Sequence, residues 1–116
     1  MNIFESHIKN NPCKCSREYL SAVYLLSADN FLWKASRHAV GKRTIHFDLI
    51  VIKGISTYGY ALYKLAENIY SGGRNLDIAD LYDAYLIPDK LLELIFTVIR
   101  INRQGYSFIG IEKKYQ

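Results

Sequence analysis

At 116 residues, half of them apolar, the chain is the size of one ordinary domain and has enough hydrophobic material to bury a core without metal or disulfide staples. Its net charge of +4 is uneven, with eight Lys or Arg against four acids in residues 1–56 and seven against seven in residues 57–116. Glu5, His7 and Lys9 interrupt the opening residues, and Glu93 and Thr97 interrupt the longest apolar stretch, 91–101, so neither a secretory leader nor a membrane span of roughly 20 residues is expected.

Residues 1–15 are polar and contain Asn10, Asn11 and Pro12, which reads as an irregular lead-in. Within it, Cys13 and Cys15 stand one residue apart, too close to bridge each other well, which fits a reducing cytoplasm. A first helix is predicted over 17–26, capped by Ser16, with Tyr19, Leu20, Val23 and Leu26 at helical spacing and Arg17, Glu18 and Ser21 on the other face. Ser27, Ala28, Asp29 and Asn30 supply cap residues for a second helix over 31–39, which Gly41 ends. Trp33 and Phe31 are large enough to dominate local packing, and Trp33 is assigned to the core.

Residues 44–52 are rich in β-branched and aromatic side chains. Polar His46 and Asp48 alternate with Ile45, Phe47 and Leu49, a strand signal. A helix follows over 58–70, capped by Ser56 or Thr57 and stopped by Gly72 and Gly73. Its Tyr58, Leu62, Leu65 and Ile69 form one core-facing stripe, while Tyr60, Tyr63 and Tyr70 fall outside that stripe. Asp77 caps a one- or two-turn helix near 78–82.

The last helix, over 88–103, starts with Pro88 at the favoured first position and ends before Gly105. Asp89 near its start and Arg100 and Arg103 near its end complement the helix dipole. Asp89, Glu93, Thr97 and Arg100 form one narrow polar strip, and Leu91, Leu92, Leu94, Ile95, Phe96, Val98, Ile99 and Ile101 occupy the remaining circumference. So wide an apolar arc predicts a central helix. Were its neighbours too few to enclose it, the uncovered part would be a partner surface. Residues 106–111 alternate weakly and are a candidate second strand for 44–52, and 112–116 form a frayed tail.

The chemistry-bearing residues are sparse. Cys13, Cys15 and His7 are good zinc ligands by type, but the paired knuckle spacing is missing and His38 or His46 would have to complete the set, so no metal or cofactor is expected. Gly41-Lys42-Arg43-Thr44 departs twice from the end of a phosphate-binding loop, at Ser36 and at Arg43. His46 with Asp48, His38, and the acids Asp77, Asp80 and Asp83 are the candidates for acid–base work. Nothing near them in sequence offers a nucleophile or an oxyanion donor, so no enzyme is expected. Lys34, Arg37, Lys42 and Arg43 lie close together with aromatic rings nearby, a basis for nucleic-acid binding, although neither a helix-turn-helix nor an RNA-binding aromatic signature accompanies them.

The run 59–70 (Gly59 to Tyr70 in sequence GYALYKLAENIY), then Gly72, Leu76-Asp77-Ile78-Ala79-Asp80-Leu81, and Ile99-Arg100-Ile101 before Gly105, resembles small uncharacterised helical proteins of Firmicutes genomes and their mobile elements. The resemblance covers about two fifths of the chain and carries no catalytic signature, so it transfers no functional residue. It implies an accessory or mobile-element context, a class that includes inhibitors of host defence such as anti-CRISPR proteins.

The sequence therefore predicts one mainly α domain, a compact bundle of about four or five helices around the 88–103 helix, with a minor two-stranded ribbon of 44–52 and 106–111. The expected function is cytoplasmic protein–protein interaction, with a host protein or a second copy as partner, through the side of the helix bearing Tyr60, Tyr63 and Tyr70. Nucleic-acid binding through Lys34, Arg37, Lys42 and Arg43 is the alternative.

Overall fold

A computed structural model describes residues 3–10, 16–72, 82–85 and 87–104. Five α-helices lie in this part: α1 (Ile3–Asn10), α2 (Arg17–Leu26), α3 (Asn30–Ser36), α4 (Thr57–Tyr70) and α5 (Asp89–Gln104). Short 3₁₀ turns occupy Arg37–Ala39 and Phe47–Leu49. The mainly helical bundle read from the sequence is the observed architecture. The short helix placed near 78–82 and the segment 106–111 lie outside the described residues, apart from Tyr82.

The caps act as their chemistry requires. Ser16, Asp29 and Ser56 each hold an extended backbone, and each side-chain oxygen accepts the N–H three residues on, from Tyr19, Leu32 and Gly59. Each cap removes one unpaired donor from a helix start, and together they fix where α2, α3 and α4 begin.

The centre of the bundle is α2 rather than the 88–103 helix. Tyr19, Leu20, Ser21, Ala22, Val23, Leu25 and Leu26 are all buried, so α2 is enclosed on nearly every side by α1, α3, α4 and α5. Its sequence explains this, because no charged residue occurs after Glu18, and Ser21 and Ala22 are small enough to let a neighbouring helix approach. Ser21, expected on the solvent face, is completely buried beneath α5. There Asn102 Nδ2 donates to Ser21 Oγ and to the Val98 carbonyl, while Arg17 Nη1 donates to the Asn102 carbonyl over 3.0 Å. Asn102→Ala takes away a hydrogen-bond partner of the buried hydroxyl. It is expected to cost about 1–2 kcal/mol in chemical denaturation, more than the same change at an exposed helix position.

Helix α5 buries only Leu91, Ile95, Val98 and Ile101, with Leu92 and Leu94 half-buried. Its expected enclosure is not met: Phe96 and Ile99 remain 52% and 45% exposed. Along α4 the predicted stripe faces the core, with Leu62 fully buried and Tyr58, Leu65 and Ile69 packed at its edge. Gly59 and Ala66 let α4 lie close to its neighbours, and a Cβ at Gly59 would sit 2.5 Å from Ile55 Cγ2.

Residues 3–10 are helical, which corrects the irregular lead-in. Phe4 and Ile8, four apart, are both buried, and Phe4 packs edge-on to Tyr24 at 5.3 Å. Pro12 comes two residues after Asn10, the last helical residue, and so does not interrupt this helix. His7 joins α1 to the core, with its ring 5.4 Å from Trp33 and its Nε2 2.9 Å from Tyr19 Oη. Because the Tyr19 hydroxyl donates to the Gly41 carbonyl, His7 Nε2–H is the donor in this pair.

Burial of His7 lowers its pKa below the ordinary value. The unfolded chain therefore binds the His7 proton more readily, and the stability contributed by neutral His7 is present above about pH 6.5 and is lost as the pH falls below it. In urea titrations near pH 7.5 and 5.5, the wild type is expected to lose more stability on acidification than His7→Gln.

Residues 44–52 do not form a strand. Among the described residues the sole β-type pairing is an isolated bridge between Val40 and Ile45, followed by the 3₁₀ turn Phe47–Leu49. The backbone groups that a ladder would satisfy find side chains instead. Ile45 N–H donates to Tyr70 Oη at 3.1 Å, Tyr63 Oη–H donates to the Phe47 carbonyl at 3.4 Å, and His38 Nε2–H donates to the Leu49 carbonyl at 3.0 Å. Ile45, Phe47 and Ile50 point into the core.

Candidate interaction surfaces

The 40–49 loop is held by hydrogen bonds from side chains of other elements. Gly41 N–H donates to the Thr44 carbonyl at 2.7 Å, closing a turn whose tip is Lys42 and Arg43. The Gly41 carbonyl points inward and accepts from the fully buried Tyr19, so a core side chain sets the position of a basic surface turn. His46 N–H closes the neck of the turn on the Ala39 carbonyl at 2.9 Å.

Tyr63 and Tyr70, expected on an open contact side, are half-buried against this loop. Their rings lie 6.0 and 5.5 Å from that of Phe47. Burial, and after it the Glu67 carboxylate, raises the Tyr63 pKa, so its hydroxyl stays protonated as a donor. Tyr60 alone of the three is exposed, with its ring 6.5 Å from that of Tyr63. Tyr63 and Tyr70 are positioning residues for the loop, and the open surface lies beyond them.

That surface is basic and studded with apolar side chains. Lys34, Arg37, Lys42 and Arg43 are all exposed, the first two on α3 and the 3₁₀ turn after it, the others at the loop tip. Phe31 is 77% exposed and stands on α3 one turn before Lys34, while His38 lies in the 3₁₀ turn that follows. His38 in turn is bonded to the backbone of Leu49, itself exposed, and Val51, two residues further along extended chain, is 68% exposed while Ile50 between them is buried. Phe31, Leu49 and Val51 were missed as surface residues in the sequence. The signal available was the out–in–out order of Leu49, Ile50 and Val51, which a continuous apolar run conceals.

The other candidates are not assembled into a site. His46 and Asp48 are both exposed on either side of buried Phe47, and no hydrogen bond joins them. Asp83 accepts the Tyr85 N–H through Oδ1 at 2.9 Å, a turn-capping role, and Asp77 and Asp80 lie outside the described residues. Among the described residues no three His, Cys, Asp or Glu side chains gather as metal ligands would, and Cys13 and Cys15 are outside them. A cleft of about 240 Å³ lies between α1, the end of α2 and α5, lined by Ile3, Phe4, Tyr24, Ser27, Ala28 and Leu94, with no ionisable group other than the Tyr24 phenol. No described helix is long and apolar enough to cross a membrane.

The described residues form a small helical bundle that exposes Phe31, Leu49 and Val51 in one part and Phe96 and Ile99 in another. Compared with protein-family models, with curated proteins and with solved structures, the chain matches none.

Proposed function

We propose that this protein is a non-enzymatic protein-interaction module, acting as an accessory inhibitor of the anti-defence kind, and that it holds its partner on the surface of Phe31, Leu49 and Val51. The observations that carry the reading are the exposure of these apolar side chains, the exposure of Lys34 and Arg37 on α3 and the turn after it and of Lys42 and Arg43 on the loop, the His38–Leu49 hydrogen bond that ties that turn to the loop, and the side-chain hydrogen bonds that fix the loop. A pre-set surface loses little conformational entropy on binding, apolar anchors supply the contact energy, and exposed cations select an acidic partner and speed encounter. The mobile-element context comes from the resemblance of residues 59–105.

Affinity capture from the cell that expresses the protein, after nuclease treatment, tests this with tagged wild type and the double variant Phe31→Ser/Val51→Ser. A protein retained by the wild type and lost from the folded variant supports the reading. Equal retention by both overturns it.

Nucleic-acid binding is the second reading, favoured by four exposed cations within ten residues beside the exposed Phe31 ring, a stacking platform. Four phosphate contacts would make affinity for duplex DNA fall roughly a hundredfold between about 50 and 200 mM salt. Such a fall, reversed in part by Arg37→Gln, would favour this reading over the first.

A further inference from the structure

The outer face of α5 is the second uncovered surface. It is distinct from the one proposed above, and the inference drawn from it does not depend on that reading. Leu92, Phe96 and Ile99 recur at four and three residues, the spacing of a helix–helix seam, and Asp89 and Arg103 continue it three residues before and four after. The inner face is fixed on α2 by Leu91, Ile95, Val98, Ile101 and Asn102, so the seam is presented on a rigid element. Its N-terminal half carries Asp89 and Glu93 and its C-terminal half Arg103. Lys90, which would break this polarity, turns aside over the Tyr58 ring at 4.7 Å. The turn leading into α5 presents exposed Tyr82 and Tyr85 and is pinned by Ile87 N–H on the Asp83 carbonyl at 2.8 Å.

We infer that a second copy of this chain occupies the face, with the two α5 helices antiparallel about a twofold axis close to Phe96. The charges choose this occupant. An antiparallel pair sets Asp89 of each copy opposite Arg103 of the other and opposes the two helix dipoles, whereas a parallel pair sets like against like. The arrangement also brings the Tyr82 and Tyr85 turn of one copy to the Arg103 end of its partner, where aromatic rings meet a guanidinium. Seven residues on either side of the axis amount to about 10 Å along each helix, so the acidic and basic ends fall within reach together. A single helix pair is a small interface beside the roughly 800 Å² per partner of a standard one, so weak, concentration-dependent association is expected. The dimer would display two copies of the basic surface, and a partner with two acceptor sites would gain from that pairing.

Sedimentation velocity on the full chain, from about 1 to 300 µM, tests the inference, with circular dichroism confirming the fold of each variant. The wild type is expected to pass from monomer to dimer across this range. Phe96→Glu, at a half-exposed position that leaves the core intact, is expected to remain monomeric throughout. Arg103→Glu creates a repulsion twice per dimer and is expected to weaken association about tenfold, and adding Asp89→Arg to it restores the wild-type value. A wild type that is monomeric throughout, a dimer that Phe96→Glu leaves intact, or a failure of the double exchange to restore association would each overturn the proposal.

Discussion

Leu20→Ala is expected to lower the free energy of unfolding by about 2–5 kcal/mol, the range for a leucine truncated where its surroundings cannot collapse into the space. Leu20 is completely buried on α2, the helix that α1, α3, α4 and α5 surround. A cavity there is therefore lined by several elements, each held by contacts elsewhere, and none can close it without losing others. Phe96→Ala, a larger truncation on α5, is expected to cost about 1 kcal/mol or less, because half of that ring is already in water and the change leaves no enclosed void. Urea denaturation of the two variants gives the comparison. Equal losses would mean that α5 and not α2 is the centre of the bundle.

Tyr19→Phe is expected to cost about 2–3 kcal/mol, although it removes a single oxygen. That oxygen donates to the Gly41 carbonyl and receives His7 Nε2–H, so its loss removes one hydrogen bond from each of two different segments. The effect should be directional as well as large. The turn that carries Lys42 and Arg43 is tied to the core through the Gly41 carbonyl, so amide exchange at Gly41 and His46 is expected to accelerate more than exchange along α4. Partner affinity should fall with it, although no surface side chain has changed, because the ordering of the loop then has to be completed on binding. Unchanged exchange at Gly41 would show that the turn is held by its own Thr44 contact alone.

Much of the fold could be read from local chemistry. Ser16, Asp29 and Ser56 announced helix starts because each offers an oxygen to an otherwise unpaired N–H, and Gly72, at φ +75°, stands just past the end of α4 in a conformation that glycine adopts without penalty. The periodic stripe of α4 was equally legible, since its alternatives would have exposed Leu62 and Ile69. What escaped was whatever depended on tertiary contact. Residues 3–10 have too few apolar positions to announce a helix, and Phe4 and Ile8 matter because Tyr24 and the rest of α2 lie opposite them. The β-like alternation of 44–49 is real, but the hydrogen bonds came from Tyr63, Tyr70 and His38, and no linear pattern shows that a tyrosine hydroxyl will stand in for a neighbouring strand.

The same point governs the candidate site. Tyr60, Tyr63 and Tyr70 share a side of α4, yet the loop folds over two of them and leaves Tyr60 exposed. The width of the apolar arc on α5 was legible, but its occupants were not, because a helix with five charged residues spaced along it is partly covered and a helix such as α2, uncharged over its last eight residues, is covered fully. The arc left open is the face now assigned to a second copy.

Partner contact is proposed to fall on the loop together with Phe31, Leu49 and Val51. Hydrogen exchange measured on the purified complex with the captured partner tests it most directly. Slower exchange over residues 37–52, with α1 unchanged, is the predicted result. Unchanged exchange across 37–52, with protection confined to the side of α4 that bears Tyr60, would contradict it.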